Sequence, residues 1–285
     1  YLKIKMQTKK VFHENWWLDA CVGKNNWDQI TYESNGHKIF WPFYKKSFLG
    51  LKLLKQPQLT PFLGPWFESK ENKELNYGKY DELLLNAFYS LPKHDLINQC
   101  LGRELNDSFI LSLKKINHTI LYTYILQVSN EKILWGNYSK SLKRDIKYAI
   151  KANIKVKVED DFNILNDLSN ITFKGKSIVR PYDRNYLESI YREATNRKRS
   201  KLYIARNKKN NPCSCALILN DENCSYYLIG GQDRTIEESN HSVKLLLHNA
   251  ILDSFYSKKK QESKKQKKCF FKQIYLCIIA NIIYY

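Results

Sequence analysis

Hydrophobic residues recur along this chain in two patterns, one typical of a helix with a single buried face and one of a strand in a sheet. The first pattern predicts helices at Asn15–Val22, Asp81–Leu91, Ser139–Ala152, Phe162–Phe173, Asp183–Arg197 and His241–Tyr256. The second predicts strands at Trp27–Glu33, His37–Tyr44, Asp95–Cys100, Thr119–Val128, Ile154–Val158, Leu202–Ala205, Ser214–Leu219 and Ser225–Ile229. We therefore expect an α/β (α+β) fold with mostly antiparallel, mixed sheets flanked by helices.

Glycine and proline mark the turns between these elements. Ser34-Asn35-Gly36 has the composition of a tight hairpin turn between the first two strands. Three prolines between Lys55 and Trp66 exclude a helix or a central strand. We expect this rigid loop either to cover an edge of the hydrophobic core or to line a pocket. Gly230-Gly231 ends a meander of three strands, and a polar loop then leads to the last predicted helix.

The chain is strongly basic, with a formal net charge of +19. A basic protein favours polyanionic partners such as tRNA, nucleotide-sugars or an anionic membrane surface. The richness in Lys, Asn, Ile and Tyr also fits a genome with A/T-rich codons, so composition alone is the alternative explanation. On the helix Ser139–Ala152 the cations Lys143, Arg144 and Lys147 lie away from the apolar stripe. They are either an anion-binding group or a solvated face.

The last 28 residues, 258–285, differ from the rest of the chain. Lys258–Lys268 contains seven lysines and one glutamate, and the apolar stretch Cys269–Tyr285 follows. That stretch contains Lys272 and Gln273 and is shorter than the ~20 apolar residues that a membrane span needs. We interpret this tail as the product of a frameshift or truncation. A basic, membrane-contacting tail is the alternative.

Cysteine usage and the absence of known catalytic motifs narrow the chemistry. The seven cysteines are scattered without the spacing of a disulfide framework, which favours reduced thiols in a cytoplasm. No metal site is expected, because Cys213 and Cys215 would point to one face of a strand without a second pair. The sequence shows no P-loop and no dinucleotide-binding glycine pattern. Direct group transfer through positioning and backbone donors is compatible with so faint a signature.

Five stretches resemble, in order and spacing, the Fem-type and BioF-like group of the GNAT acyltransferase superfamily. They are Phe12–Leu18 (FHENWWL), Pro57–Trp66, Phe109–Ile125, Ser139–Ala152, and Tyr226–Asp233 (YYLIGGQD) with the helix that follows. The resemblance covers roughly residues 10–257. It implies two GNAT-like domains, residues 1–136 and residues 137–257, of which the second is incomplete at its end.

The resemblance also implies an activity and a donor site. Members of this group move an acyl group onto an amine, either from acyl-CoA or, in Fem-type members, from aminoacyl-tRNA to a peptidoglycan precursor. The donor is a co-substrate, so no permanently bound cofactor is expected. Gly230, Gly231 and Gln232, together with Lys143, Arg144 and Lys147, are the expected donor- or anion-binding residues.

The start of the last helix departs from the family pattern. Family members usually have a small Gly-Ala step there, whereas this chain has Asn240-His241-Ser242. The loop before it carries Asp233, Glu237 and Glu238, which repel an anion.

Other candidate residues are scattered. Gln58, Thr60 and Trp66 of the proline-rich loop, with Gln99, are candidates for the acceptor pocket. The candidate catalytic residues are Tyr182 as a proton donor, Asp233 as an orienting or capping group, and His241 as a base.

We expect a cytoplasmic acyltransferase that can contact the inner face of the membrane and that forms an amide on an amine of a cell-envelope precursor or nucleotide-sugar. The alternative is a catalytically inactive GNAT-like binding or scaffold protein, associated with the membrane through its tail.

Overall fold

The computed structural model describes residues 8–69, 77–102, 105, 119, 121, 123–128, 130–264 and 274–278. The chain divides into two compact units, Tyr1–Leu121 and Tyr122–Tyr285. Each unit is built on one mixed sheet flanked by helices, so the predicted fold class is confirmed.

The first unit contains a five-stranded sheet. A 3-10 turn at Val11–His13 and helix α1 (Asn15–Val22) precede strands β1 (Trp27–Ser34), β2 (His37–Phe48), β3 (Leu51–Lys55) and β4 (Trp66–Ser69). Helix α2 (Tyr77–Tyr89) and strand β5 (Leu96–Asn98) follow. The strand order is β1-β2-β3-β5, with β4 also paired to β2, and only the β3–β5 pairing is parallel.

The predicted first hairpin is confirmed. Asn35 and Gly36 both have positive φ, at 54° and 80°, which is the backbone that a two-residue type I′ turn requires. One face of β2 forms the core of this unit, because Trp41 and Phe43 are buried in one cluster with Leu83 and Leu84 of α2.

Helix α2 begins at Tyr77, four residues before Asp81, the predicted N-cap. Tyr80 is only 2% exposed and its ring stacks on Phe67 at 5.3 Å. This tertiary contact explains why the helix extends beyond the local capping signal.

The second unit contains a six-stranded sheet. Its elements are β6 (Tyr124–Val128), α3 (Glu131–Asn137), α4 (Lys140–Lys151), β7 (Lys155–Val158), α5 (Phe162–Lys174), α6 (Arg184–Asn196), β8 (Ser200–Arg206), β9 (Pro212–Asn220), β10 (Cys224–Gln232), α7 (Ser239–Lys264) and β11 (Ile274–Ile278). The strand order is β6-β11-β10-β9-β8-β7, and only the β10–β11 pairing is parallel.

Side-chain caps fix the starts of the helices in this unit. Ser139 accepts a hydrogen bond from the Leu142 backbone N–H at 3.1 Å, as predicted for the helix it opens. Asp161 and Asp183 cap α5 and α6 in the same way.

The sheet of the second unit carries helices on both faces. Ile146 and Ala149 of α4 and Leu246 of α7 form one cluster with Tyr203 and Ala216 of the sheet. Helices α5 and α6 pack on the opposite face. The alternation of neighbouring strand residues shows this, because Ser214 contacts Ser242 of α7 whereas Gly231, paired with Cys215, contacts α5.

Two features of this unit differ from the sequence-based organisation. The second unit begins at Tyr122, before the expected boundary at residue 136, because β6 pairs with β11 and Leu134 of α3 packs on Ile251 and Phe255 of α7. The segment set apart as a tail also contributes to the fold. Helix α7 continues to Lys264, and β11 lies in the sheet between β10 and β6. In the described part of the chain no helix is long and apolar enough to cross a membrane.

Candidate functional site

Strand β10 changes its pairing halfway along its length. Strand β11, which is described as far as Ile278, pairs with β10 from Cys224 to Tyr227. The register between β10 and β9 shifts between Tyr227 and Ile229. From Ile229 to Gln232 the described residues provide a partner strand only on the β9 side. An open strand edge in the middle of a sheet leaves backbone donors and acceptors available to an extended ligand.

Tyr227 lies at this irregularity. Its hydroxyl oxygen passes over Gly230, where an added Cβ would lie 1.6 Å from it, so only glycine fits there. The phenol has no hydrogen-bond partner among the described residues. Burial raises the pKa of Tyr227 to about 12, so the group is protonated at neutral pH and can donate a hydrogen bond.

Gly231 serves helix packing. A Cβ at this position would lie 2.5 Å from the backbone of Leu168 and Ser169 in α5. The backbone N–H of Gln232 donates to Thr172 Oγ1 at 2.8 Å, and its side-chain amide donates to Asn240 Oδ1 at 3.2 Å. Of the three predicted donor-binding residues on β10, Gly230 lies at the open edge, and the other two have structural partners.

The first turn of α7 has few free N–H groups. The N–H groups of His241 and Ser242 donate to the Glu238 carbonyl, and that of Ser239 donates to the Ile236 carbonyl. These donors would not be free for the pyrophosphate that the family resemblance places here. Asp233 accepts hydrogen bonds from the backbone and hydroxyl of Thr235, so it caps a turn.

A cluster of charged side chains links α4 to α7. Asp145 accepts a hydrogen bond from Lys244 Nζ at 2.8 Å, and His241 Nδ1 lies 3.4 Å from its other oxygen. The bond from Lys244 holds the pKa of Asp145 below its ordinary value. The His241 ring also packs on Tyr148 at 4.3 Å. His241 is therefore held against a carboxylate and an aromatic ring at the helix start.

The three basic residues of α4 that were predicted to bind an anion differ in their contacts. Lys143 Nζ donates to the Gly136 carbonyl at 2.8 Å, which ties it to the end of α3. Arg144 and Lys147 are exposed, and neither forms an ion pair within the part of the chain that the structure describes. These two remain available to an anion.

Tyr182 lies on the opposite face of the sheet from His241. Its hydroxyl is 3.2 Å from Ser169 Oγ of α5, and burial raises its pKa. Because Tyr182 packs with α5 and His241 belongs to the α4–α7 face, the two candidate catalytic residues do not share one site.

The candidate acceptor residues of the first unit are mostly structural. Thr60 is buried and accepts a hydrogen bond from Trp17 Nε1 at 3.0 Å. Trp66 is buried and stacks on Phe40. Gln99 joins two strands by accepting from Trp41 Nε1 at 2.8 Å and donating to the Pro42 carbonyl at 2.9 Å. Gln58 alone has an exposed side chain.

Sequence reasoning missed Tyr227, Asp145 and Thr172. The pair Tyr226-Tyr227 before two glycines was a usable signal for the first, since a large side chain next to glycine often lies over it. Asp145 was visible as the one acid on a basic helix. Thr172 had no local signal, because its role depends on the approach of α5 to β10.

Comparison with known proteins supports the fold. No protein-family model and no curated protein matches the sequence. The crystal structure of FemX is similar at 11% identity, over 98% of this chain and 86% of that chain, with a TM-score of 0.60. The structure of L-PGS from Bacillus licheniformis is 8% identical over 90% of this chain and 73% of that one, with a TM-score of 0.41. A conserved protein of unknown function from Bacteroides thetaiotaomicron VPI-5482 is 10% identical over 87% and 81%, with a TM-score of 0.46.

The two units, their mixed sheets and the irregular strand before α7 define the class as a GNAT-type fold. Within that class, the similarity to FemX makes the fold of this chain Fem-like.

Proposed function

We propose that this chain is a Fem-like acyltransferase that forms an amide by moving an acyl or aminoacyl group from a carrier to an amine. The observation that carries the proposal is the end of β10 beyond Tyr227: there the described residues pair the strand only on the β9 side, and the Tyr227 phenol, which has no hydrogen-bond partner among the described residues, lies over Gly230. Donors such as this phenol stabilise the oxyanion that develops when an amine attacks a carbonyl.

The proposed reaction requires little side-chain chemistry. The amine nitrogen attacks the carbonyl carbon, a C–N bond forms, and the bond from that carbon to the carrier oxygen or sulfur breaks. The amine loses one proton and the leaving carrier atom gains one. Tyr227 is suited to donate a hydrogen bond to the carbonyl oxygen as negative charge develops there, since its raised pKa keeps the hydroxyl protonated.

Aminoacyl-tRNA fits the proposed donor site better than acyl-CoA. The occupied N–H groups of α7 and the acidic residues before it work against a pyrophosphate at that helix. Arg144 and Lys147 offer free cations on α4. A groove of about 590 Å³ beside β7 is lined by Lys155 and Lys157, among others.

The same groove supports binding of a polyanion. Lys155 lies directly opposite Arg206 in the β7–β8 register, where like charges repel. Glu159 pairs with Arg206 at 2.8 Å and also lies near Lys157. The groove still carries more positive than negative charge, because its lining has Lys155, Lys157, Arg206 and Lys208 against this carboxylate. The proposed acceptor is an amine on a cell-envelope precursor or nucleotide-sugar.

The test is transfer of a radiolabelled amino acid from aminoacyl-tRNA to a UDP-linked peptidoglycan precursor with a free side-chain amine, with acetyl-CoA as the competing donor. Tyr227→Phe should lower the rate about 100-fold, since it removes one proton donor and keeps the buried ring. Tyr226→Phe is the matched control, because that hydroxyl bonds Asp221 at 2.7 Å and should leave the rate within about threefold of wild type.

Absence of transfer from both donors would contradict the proposal, and so would equal rates of the Tyr227→Phe variant and wild type. An inactive binding protein is the second candidate, favoured by the occupied first turn of α7. Salt-sensitive binding of tRNA without turnover would identify it.

A further inference from the structure

The β2–β3 hairpin ends in a group of exposed apolar side chains. Phe48 is 58% exposed, Leu49 86% and Leu51 49%. Leu96 of the neighbouring strand β5 is 53% exposed. We call Phe48, Leu49, Leu51 and Leu96 the hairpin patch.

Strand register places these side chains together. Phe48 pairs with Leu51, and Leu53 pairs with both Lys46 and Leu96, so Phe48, Leu51, Leu53 and Leu96 share one face of the sheet. The core cluster that contains Phe43 and Leu54 lies on the other face. The patch face is packed only further along β2, where Phe40 stacks on the buried Trp66. The patch is therefore the exposed, apolar end of that face.

The turn at the tip is unusual in composition. Leu49 and Gly50 have φ values of 49° and 80°, nearly the same as Asn35 and Gly36 in the neighbouring hairpin. Asparagine is favoured in that backbone, whereas leucine is disfavoured. Leu49 thus carries a conformational cost and, at 86% exposure, contributes almost no burial to the folded chain.

The charges around the patch are mostly positive. Between Glu33 and Glu68 the chain has five lysines and no carboxylate. Lys46 lies on the same face as the patch, and Lys52 is exposed on the adjacent strand. Two acids lie on neighbouring strands: Asp28 is neutralised by Lys45 at 2.8 Å, and Asp95, next to Leu96, accepts a hydrogen bond from the Lys52 backbone N–H at 2.7 Å.

We propose that the hairpin patch inserts into the interface of an anionic lipid bilayer. A protruding apolar tip with flanking lysines matches such a surface, since the side chains enter the headgroup region by about 5–10 Å and the ammonium groups remain at the lipid phosphates. A second copy of this chain is a poor occupant, because it would bring Lys46 and Lys52 of both copies together.

The experiment is sedimentation of the full chain with sucrose-loaded vesicles of phosphatidylcholine, with and without the anionic lipid phosphatidylglycerol, which gives the vesicle a negative surface potential. Wild type should bind the anionic vesicles and bind the neutral ones weakly. Phe48→Ser/Leu49→Asn should lower the partition coefficient about tenfold or more. Lys46→Gln/Lys52→Gln should lower it by a similar factor on anionic vesicles only.

Two controls separate binding from folding. Leu49→Asn alone creates an Asn-Gly turn, so its melting temperature should equal or exceed that of wild type while vesicle binding falls. Ile150→Asn removes an apolar side chain that is 57% exposed on α4 and should leave binding within about twofold of wild type.

Three results would overturn the proposal. One is wild-type chain that stays in the supernatant with anionic vesicles. Another is a hairpin variant that binds vesicles as tightly as wild type does. That result would show that another part of the chain contacts the membrane, for example the lysine-rich segment after Tyr256. The third is a wild-type dimer that Leu49→Asn converts to a monomer, which would identify the patch as a self-association surface.

Discussion

Position 231 shows how one residue can serve packing where a ligand site was expected. Glycine at the end of a strand suggests close approach of a phosphate or a substrate backbone. Here the close neighbour is the backbone of α5, and Gly230 next to it accommodates the Tyr227 hydroxyl. Both glycines are thus explained by contacts within the chain, and only Gly230 lies beside a group with unused donor capacity.

Gly231→Ala should lower the free energy of unfolding by about 1–3 kcal/mol, because the added methyl group meets the rigid backbone of Leu168 and Ser169. Chemical denaturation measures the change. Gly136→Ala is the control: no atom lies within 4 Å of its added Cβ, and alanine in a helix should stabilise by up to about 1 kcal/mol. Equal effects of the two substitutions would refute the packing role of Gly231.

His13 is a second residue whose state depends on its surroundings. It is 1% exposed, and its Nδ1 accepts a hydrogen bond from the Lys10 backbone N–H at 3.0 Å. Burial, followed by the nearby charges of Lys10 and Lys9, lowers its pKa to about 3. His13 is therefore neutral in the folded protein over the whole range in which a free histidine titrates.

This depressed pKa predicts a loss of stability in acid. The unfolded chain takes up a proton below about pH 6.5 and the folded chain only near pH 3, so stability from the neutral His13 is complete above pH 6.5 and falls by up to about 1.4 kcal/mol per pH unit below it. His13→Asn keeps an acceptor but cannot titrate, so its unfolding free energy should fall less between pH 6.5 and 4.5. Parallel pH profiles of the two proteins would contradict this prediction.

At the scale of elements, the segment after α7 decides whether the second sheet is complete. Strand β11 pairs in parallel with β10 and antiparallel with β6, so its backbone covers an edge of both strands. Exposed strand edges promote aggregation. The strand thus has a structural role that its position after a lysine-rich run did not suggest.

Deletion of residues 265–285 should lower the melting temperature and promote aggregation, because it uncovers the edges of β6 and β10. Scanning calorimetry and light scattering at several protein concentrations would measure both effects. If the tail is foreign to the fold, as the frameshift interpretation holds, the shortened protein will have the same melting temperature as the full chain and will remain soluble.

At the scale of the whole molecule, the net charge of +19 is the dominant property. It is carried in part by surfaces where cations outnumber acids, including Arg144 and Lys147 of α4 and the groove beside β7. Charge of this kind raises association rates with polyanions and makes binding depend on salt.

Binding of tRNA should weaken steeply with salt, and Arg144→Gln/Lys147→Gln should reduce the slope of log K against log salt by about 1–2 in magnitude. Filter binding between 50 and 200 mM salt (roughly the range over which phosphate contacts dominate) would measure it. Lys24→Gln, an exposed lysine of the first unit, is the control and should leave the slope unchanged. An unchanged slope in the double variant would show that α4 does not contact the nucleic acid.

The sequence by itself determined most of the local structure, because periodicity, caps and turns depend on neighbours along the chain. Asn35-Gly36 predicted its turn, and Ser139 predicted the start of α4. The tertiary structure decided what depends on distant contacts: the insertion of β11 between β6 and β10, the separation of Tyr182 and His241 on opposite faces, and the use of Gly231 for packing. Strand pairing and helix docking join residues far apart in sequence, and no local pattern encodes which partner lies on the other side.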